Sequence, residues 1–516
     1  MQKIFEREGY NMQIDQKKAG VLLTFLSETI KILTALLYTP VMLSLLGQSE
    51  YGLYQLAMSA ISNLNLLNLG FTNTYFRYYS RLSVAGDKEG IARLNGMFML
   101  IFGAISALCV ICGGVMVANA HVIFGNGLTA AELAKSKILM AILILNMVVT
   151  LINNVWYCYV MACEKFVFQK LANVIKNFLT PVLTLPLLLC GSDSVAIVSV
   201  TTVLTVAIFL VNLFFCRKKL KMQFAFHGIQ FHLLRDMGGF AFFIFLNQIA
   251  NQLNWSVDKL LLGRISGTVA VAVYGIGMQI YWLFFDAANC VSGVFIPQVN
   301  NIVAKSNDNT ELTGLMTRVG RVQFLLLALI LVGFAFLGRP FIQLWAGDGY
   351  AQSYWVALLL MLPMTVPLIQ NLGVEIQRAK NMHRVRSVVY TVIAFINVGI
   401  SILFIRRWGS VGAAAGTTIS LVMGEVIFMN WYYHKRIGLN MITFWKEIFK
   451  LVPAVLLMCL VAAVYSRFVT VTDWARLAVS ALLFTAVYLL IMWNLGLNTY
   501  EKQLVRKMLR KLSGGT

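Results

Sequence analysis

The chain has 516 residues, of which 59% are hydrophobic and only 12% are charged, and its mean hydropathy is +0.76. Soluble domains carry roughly a quarter charged residues, so this composition excludes a soluble globular protein and indicates a polytopic membrane protein. The formal net charge of +21 does not indicate nucleic-acid binding, because the basic residues fall in alternate loops between apolar stretches.

About fourteen apolar stretches are long enough to cross a bilayer as helices, which predicts an all-α fold. In chain order they lie near 19–46, 51–80, 93–118, 137–162, 168–190, 194–216, 236–263, 269–300, 318–346, 353–377, 385–406, 410–433, 447–466 and 474–495. About eighteen polar residues precede the first stretch, which is too long a lead for a cleavable signal peptide, so we expect the first span to be retained.

Lysine and arginine residues divide unevenly between the two sides of this bundle. One side, including both termini, carries 31 of the 42, the opposite side carries 8, and Lys31, Lys176 and Lys259 lie within spans. The positive-inside rule therefore predicts that both termini are cytoplasmic and that the number of spans is even. We call the side with the 31 basic residues the basic face and the other side the opposite face.

Two short patterns recur at one spacing. Leu-Leu-Gly at 45–47 recurs at 261–263, and Ser-Val followed by Thr-Thr at 194–202 recurs at 410–418, both after 216 residues. A duplicated set of membrane helices is typical of transporters that bind substrate between the two halves. Because six spans separate the copies, both copies start on the same side, which predicts parallel repeats.

The predicted organisation is two six-helix lobes followed by two further helices. The bounds are 1–18 for a cytoplasmic N-terminus, 19–216 for the N-lobe (spans one to six), 217–235 for a cytoplasmic linker, 236–433 for the C-lobe (spans seven to twelve), 434–446 for a cytoplasmic loop, 447–495 for spans thirteen and fourteen and 496–516 for a basic tail. The longest loop on the opposite face, near 119–136, has room for one small helix and not for a catalytic domain.

Other motifs are uninformative or absent from the sequence. The eight cysteines lie within or at the ends of apolar stretches, so we expect small buried hydrophobes and neither disulfides nor metal ligands. The sequence has no GxxxxGK[ST] phosphate loop, so we expect transport to use an ion gradient, the membrane potential or the substrate gradient.

Polar residues inside spans are costly in hydrocarbon and therefore mark an interior cavity or a buried partner. In the first two spans the cavity candidates are Glu28, Lys31, Asn68, Asn73 and Arg77. Glu28 and Lys31 are three residues apart, so they either neutralise each other or place Lys31 on a cavity. Lys176, Glu375 and Glu425 are weaker candidates, near helix ends or in the outer helix group.

Spans seven and eight each carry a polar stripe at helical spacing. The first stripe is Asn247, Asn251, Asn254 and Asp258, and the second is Gln279, Trp282, Asp286 and Asn289. Each stripe lines a cavity or joins helices by hydrogen bonds. Asp286 and Asp258 are either ion-coupling sites or hydrogen-bonded structural acids. The 216-residue offset relates Lys31 to Asn247 and Asn73 to Asn289, and predicts that each pair faces across the repeat axis.

Several runs resemble bacterial oligosaccharide flippases, the polysaccharide transporter branch of the multidrug/oligosaccharidyl-lipid/polysaccharide exporter superfamily. They are Lys17–Leu23, Leu37–Pro40, Leu46–Tyr54, Asn68–Phe71 and Gly86–Lys88. The resemblance implies two six-helix lobes around a central cavity, with two extra helices that help to accommodate a lipid. It also implies a bacterial cytoplasmic-membrane protein that flips a polyprenyl-pyrophosphate-linked oligosaccharide to the outer leaflet by alternating access, for cell-surface polysaccharide synthesis.

The same resemblance implies partners and roles. The partners are the lipid-linked oligosaccharide, membrane lipids and the polysaccharide assembly machinery, with no nucleic acid, no metal and no cofactor; H⁺ and Na⁺ are the candidate coupling ions. Lys31 and Arg77 would attract the pyrophosphate, and the asparagine stripe would meet sugar hydroxyls. These two cations are fewer than we expect for a lipid II flippase, which disfavours the peptidoglycan precursor as cargo.

Two alternatives stay open at this point. A multidrug and toxin extrusion (MATE) antiporter is the first, although such proteins usually have twelve spans. A membrane polysaccharide polymerase or ligase is the second, although such enzymes need catalytic groups on a sizeable outer loop. We therefore expect a transporter and not an enzyme.

Overall fold

The computed structural model describes residues 2–68, 71–227, 248–249, 252–253, 255–380, 382, 384–499 and 501–503. It does not describe the side chains of residues 2–25, Glu28, Asn68, Asn73, Asn126 and Arg384. Within these ranges the secondary structure is helical and includes no β-strand, which confirms the all-α fold class. The chain forms two compact units, residues 1–272 and 273–516.

The described part of unit 1 contains seven complete helices and the start of an eighth. They are α1 (Gln2–Ser62), α2 (Phe71–Val84), α3 (Lys88–Ala118), α4 (Ala120–Phe124), α5 (Ala130–Ala162), α6 (Phe166–Leu189), α7 (Ser194–Lys218) and α8 (Val257–Ser292), which continues into unit 2. Helix α1 packs along α6, and α5 packs between α3 and α7. Helix α1 begins well before the predicted span at 19–46, because hydropathy marks the hydrocarbon crossing and not the end of the helix.

Among its described residues, unit 2 contains the rest of α8 and nine further helices. They are α9 (Ile296–Lys305), α10 (Asn309–Ala346), α11 (Ser353–Ile369), α12 (Asn371–Ala379), α13 (Arg384–Leu421), α14 (Met429–Tyr432), α15 (Met441–Phe449), α16 (Val452–Phe468) and α17 (Trp474–Ile491). Three π-helical turns follow α13, α14 and α17, at Val422–Phe428, Tyr433–Ile437 and Met492–Gly496.

Among the described residues, ten helices are long and apolar enough to cross a membrane, or eleven when α11 and α12, bent by 46°, count as one span. Three of the ten contain a glycine whose φ and ψ break the helix: Gly47 in α1, Gly267 in α8 and Gly409 in α13. Each break lies where the sequence predicts the turn between two spans. Division at the three glycines therefore gives fourteen segments, in line with the predicted number.

Glycines with positive φ repeat the sequence duplication in the backbone. Gly47, Gly125 and Gly191 end helices in the first repeat, and Gly267, Gly347 and Gly409 do so in the second, 220, 222 and 218 residues later. Each lies between an odd-numbered span and the next, on the opposite face. Only glycine adopts positive φ without a steric cost, so the three tight turns of one repeat recur in the other for the same backbone reason.

The C-terminal helix pair is attached to α10 by an apolar cluster. Ala328 and Val332 of α10 are buried against Met458 of α16 and Tyr488 of α17. The Tyr488 hydroxyl donates a 2.7 Å hydrogen bond to the Leu325 carbonyl. Spans thirteen and fourteen are therefore packed against α10 within unit 2.

A buried arginine holds the basic-face end of this attachment. The Arg321 side chain, 4% exposed, donates to both carboxylate oxygens of Glu501, at 2.6 and 2.9 Å. It also donates to the carbonyls of Glu447, at 2.7 Å, and Gly496, at 3.1 Å. In the sequence Arg321 is only one of the 31 basic residues of the basic face. In the structure it joins α10 to the segments before and after the C-terminal helix pair.

Candidate functional site

The Gly47–Gly52 part of the flippase-like motif builds a polar seam on the opposite face of unit 1. Glu132 Oε1 accepts hydrogen bonds from the hydroxyls of Ser49, at 2.5 Å, and Thr268, at 2.8 Å, and these two hydroxyls are 3.1 Å apart. Glu132 Oε2 accepts from the Thr129 backbone N–H, completing a capping box at the start of α5. One carboxylate thus joins α1, α5 and α8.

Backbones meet closely at the same place. A Cβ added to Gly52 would lie 1.9 Å from the Thr268 carbonyl oxygen, and one added to Gly127 would lie 2.0 Å from that of Gly263. Glycine is therefore required at both positions for this approach. We call this group the opposite-face seam; its members are Ser49, Gly52, Gly127, Glu132, Gly263 and Thr268.

Polar contacts between α1 and the chain around the start of α8 continue from the seam toward the membrane interior. Ser59 Oγ donates to the Ser256 carbonyl at 2.7 Å, and Lys259 Nζ donates to Gln55 Oε1 at 3.0 Å. By the 216-residue offset, residues 255–268 belong to the second repeat, so first and second repeat sequences meet along this line. Each such hydrogen bond contributes only about 1 kcal/mol, so these contacts are individually weak.

An ion network stands beside the seam. Lys135 Nζ lies 3.1 Å from Glu50 Oε2 and 2.9 Å from Asp193 Oδ2, and the Ser194 hydroxyl donates to Glu50 Oε1 at 2.5 Å. Burial acts to raise the pKa of Asp193, but hydrogen bonds from Lys135 and the Val195 N–H outweigh it and lower that pKa below its usual value. Glu50 and Ser194, first noticed as motif and repeat residues, thus fix helix ends to one another.

A polar cluster lies near the middle of α5, α6 and α7. Lys176 Nζ donates to Thr205 Oγ1 at 3.0 Å. Asn146 Nδ2 donates to Thr205 Oγ1 at 3.1 Å and to Thr202 Oγ1 at 3.2 Å. We call these four residues the unit 1 polar cluster. The sequence predicted Lys176 only as a weak candidate and missed Asn146. The signal in the sequence that could have pointed to this cluster is the repeated Thr-Thr pair at 201–202.

In unit 2 the predicted stripe on α8 is partly buried and partly paired. Asn289 Oδ1 accepts a 2.7 Å hydrogen bond from Asn371 Nδ2, which also lies 3.0 Å from Ser292 Oγ. Trp282, on the same stripe, is 38% exposed and packs edge-on against Phe285, with ring centroids 5.2 Å apart. The stripe therefore combines amides with an aromatic side chain, and Asn371 is a member that sequence reasoning missed.

Glu425, another weak candidate, is held by an ion pair. It lies in a π-helical turn, its side chain is 4% exposed, and Arg386 Nη2 lies 2.9 Å from its Oε1. Because Arg386 begins the same helical hairpin 39 residues earlier, the pair joins the two arms of that hairpin. Its charge is compensated within unit 2.

The other predicted site residues differ in exposure, and some of them lie outside the described residues. Lys31 and Arg77 are exposed, Gln279 and Asp286 are partly buried, and Asp258 is fully buried. Asn247, Asn251 and Asn254 lie outside the described residues, as do the side chains of Glu28, Asn68 and Asn73. The pairings of Lys31 with Asn247 and of Asn73 with Asn289 therefore stay predictions.

Known proteins resemble the chain at three levels. Residues 18–303 match the family described as polysaccharide biosynthesis protein. A Bacillus subtilis (strain 168) protein, described as the uncharacterized membrane protein EpsK, is 20% identical over 491 residues, which cover 92% of this chain and 94% of that protein.

Two solved structures share the fold. The lipid II flippase MurJ in an inward closed conformation is similar with a TM-score of 0.72 at 15% identity, covering 92% of this chain and 97% of that chain. An inward-facing multidrug resistance transporter of the MATE family has a TM-score of 0.64 at 16% identity, covering 80% of this chain and 98% of that chain. The family match spans more than half of the sequence, and the chain is thus a multi-pass membrane protein that belongs to the polysaccharide biosynthesis protein family.

Proposed function

We propose that this protein is a lipid-linked oligosaccharide flippase, which moves a polyprenyl-pyrophosphate-linked glycan from the cytoplasmic to the outer leaflet of a bacterial cell membrane. The observation that carries the proposal is the extent of its flippase-like fold. The likeness to MurJ covers 92% of the chain, whereas the likeness to the MATE transporter covers 80%. The family description, polysaccharide biosynthesis, supports a glycan as the cargo.

The polar residues suit such a cargo. Lys31 is an exposed ammonium well inside the first span, where it would pair with a phosphate, and Arg77 supplies a second cation on α2. Amides such as Asn289 and Gln279, beside the exposed ring of Trp282, offer hydrogen bonds and an apolar face to sugars. In this scheme Asp286 or Asp258 couples movement to H⁺ or Na⁺.

The opposite-face seam supplies the gate for alternating access. In this structure hydrogen bonds and backbone contacts close the seam. We infer that it opens to release the glycan on the outer side and closes when the site is accessible from the cytoplasm. The lipid tail would stay in the bilayer throughout, so only the head group and sugars need a polar path.

The test is a leaflet-resolved assay in proteoliposomes with a polyprenyl-pyrophosphate-linked oligosaccharide as substrate. Oxidation of the sugars by a membrane-impermeant reagent reports how much substrate has crossed. We expect protein-dependent crossing that slows at least about tenfold in Lys31→Ala, because a charge-assisted contact is lost, and that is unchanged in Lys88→Ala, a change of the exposed lysine at the start of α3. No crossing, with export of a cationic dye instead, would establish the antiporter alternative.

Ion coupling is tested in the same vesicles by imposing pH or Na⁺ gradients separately. We expect one gradient to accelerate crossing and Asp286→Asn or Asp258→Asn to remove that acceleration. Crossing that ignores both gradients would contradict ion coupling and leave the substrate gradient as the driving force. Growth of the glycan chain during the assay would instead indicate a polymerase.

A further inference from the structure

An apolar pocket lies on the surface of unit 1, between the start of α6 and the end of α7. Its volume is about 390 Å³, and five of its six lining residues are apolar: Phe168 of α6 and Leu210, Val211, Phe214 and Phe215 of α7. The rings of Phe168 and Phe215 stack with their centroids 3.9 Å apart and join the two helices. Leu210 and Phe214 are both more than half exposed, so the pocket is open to the surroundings of the chain.

The exposed side of α7 indicates what those surroundings are. The exposed residues of α7 before Arg217 are all apolar, and they are Val203, Ala207, Leu210, Val211 and Phe214. A helix side that lined a water-filled path would carry polar groups, whereas a side that faces hydrocarbon carries none. The pocket therefore opens toward the acyl chains of the membrane.

Two lysines lie at the basic-face end of the pocket. Lys219 is the sixth lining residue and follows Phe215 by about one helical turn. Lys218 follows Phe214 in the same way, and its Nζ lies 4.4 Å from the centroid of that ring. In the described part of the chain neither ammonium group forms an ion pair, and residues 217–221 include four basic residues and no acid. This end of the pocket therefore attracts an anion.

The length of the pocket matches one leaflet. Leu210 and Lys219 are nine residues apart, which is about 14 Å along the helix axis. The hydrocarbon of a bilayer is about 30 Å thick, so one leaflet supplies about 15 Å of it. A transmembrane helix of the same length and about 10 Å across would occupy about 1,100 Å³, far more than the pocket offers. The dimensions therefore favour an acyl chain over a helix of a partner protein.

We propose that this pocket binds one anionic phospholipid of the basic-face leaflet, with its phosphate at Lys218 and Lys219 and one acyl chain along α7 toward Leu210. A phosphate with a net negative charge pairs with the two ammonium groups. A zwitterionic phospholipid carries its own cation beside the phosphate, and the lysines repel that cation. The site thus distinguishes phospholipids by the net charge of the head group. It lies on the lipid-facing side of unit 1, so the inference does not rest on the cargo of the transporter.

The experiment titrates the full-length protein in detergent with phosphatidylglycerol and, separately, with phosphatidylcholine of the same acyl chains, and counts bound lipids by native mass spectrometry. We expect the first phosphatidylglycerol to bind at least about tenfold more tightly than the first phosphatidylcholine. Lys218→Gln/Lys219→Gln should weaken phosphatidylglycerol binding at least about tenfold, because each basic residue near a membrane surface contributes about fivefold. The charge-matched control is Arg81→Gln/Lys88→Gln, which changes two exposed basic-face cations away from the pocket and should bind like wild type.

The acyl-chain part of the site is tested by filling the pocket. Val211→Trp should weaken phosphatidylglycerol binding at least about fivefold, because the indole takes the volume that the chain needs. Val203→Trp, which changes another exposed residue of α7 outside the pocket lining, should leave binding unchanged. If Val211→Trp does not fold, Val211→Phe replaces it. Glycerol 3-phosphate, which has no acyl chains, should not displace the lipid.

Four results would overturn the inference. They are equal affinity of the wild type for the two phospholipids, a lysine double variant that binds like its control, a filled pocket that binds like wild type, and displacement of the lipid by glycerol 3-phosphate, which would indicate a site for free phosphate. A complex that carries a second protein chain and no lipid would also contradict it. Transport of the glycan is measured separately in proteoliposomes, so the proposed function stands or fails independently.

Discussion

Thr268 donates a 2.8 Å hydrogen bond to the carboxylate of Glu132, 136 residues earlier in the chain. Ser49 donates to the same oxygen, so this carboxylate gathers the first turn of α5, the break in α1 and the break in α8. These contacts are polar, short and few. The seam is therefore held by a few hydrogen bonds and not by a large apolar surface. Its opening can be tested directly.

A disulfide across the seam should stop transport. The Ser49 and Thr268 hydroxyls are 3.1 Å apart, so sulfur atoms in their place need to approach by only about 1 Å to bond. We expect Ser49→Cys/Thr268→Cys to lose transport on oxidation and recover it on reduction. Each single cysteine variant is the control for the native cysteines. Undiminished transport in protein shown by mass spectrometry to be cross-linked would mean that the seam does not open.

Gly52→Ala should destabilise the protein. Its new Cβ would lie 1.9 Å from the Thr268 carbonyl, so the two backbones must separate, at a cost of at least about 2 kcal/mol. The matched control is Gly103→Ala in α3, where a new Cβ meets nothing within 4 Å and alanine improves helix propensity by up to about 1 kcal/mol. Apparent melting temperatures in detergent should fall for the first and hold or rise for the second. Equal effects would refute the close approach.

Arg321→Met should release the C-terminal segment. It leaves Glu501 buried without its cation, and breaking a buried ion pair costs about 3–5 kcal/mol. Limited proteolysis should then cut after Gly496, where wild type resists. Arg318→Gln, a change of an exposed arginine on the same helix, should leave the resistance intact. Adding Glu501→Gln to Arg321→Met should restore part of it, and a double variant as sensitive as the single one would argue against the pair.

Acid should weaken the ion network beside the seam. The pKa of Asp193 is lower in the folded protein than in the unfolded chain, so its contribution to stability is present above the unfolded value, about 3.9, and is lost as pH falls through the lower folded value. Asp193→Asn removes that contribution. The difference in melting temperature between wild type and variant should be constant from pH 7 to 5 and shrink below about pH 4. A difference in melting temperature that grew toward low pH would contradict this prediction.

Much of the architecture could be predicted because hydrocarbon leaves the backbone few choices. Buried in lipid, each span must satisfy its N–H and C=O groups within a helix, so apolar length alone indicates where helices lie. The turns at Gly47, Gly267 and Gly409 fall within a few residues of the predicted span ends. The duplication read from Leu-Leu-Gly and Ser-Val is the same one that the positive-φ glycines repeat.

The candidate site could be predicted only in part. Hydropathy shows that Lys176, Glu425 and Lys259 are inside spans but cannot say what each faces. Glu425 has Arg386 as its partner, Lys259 has Gln55, and Lys176 has only hydroxyl and amide neighbours in the described residues. A helix of given sequence can rotate about its axis, so its polar partners depend on which neighbour it packs against.

The sequence by itself determined an all-α membrane protein of about fourteen spans, its internal duplication and its family, because these follow from local hydropathy, charge bias and short motifs. Only the tertiary structure decided that Glu132 meets Thr268, that Arg321 meets Glu501 and that Lys176 meets Thr205. The physical reason is that each relationship joins residues far apart in sequence through the packing and register of different helices, which no pattern along one helix encodes.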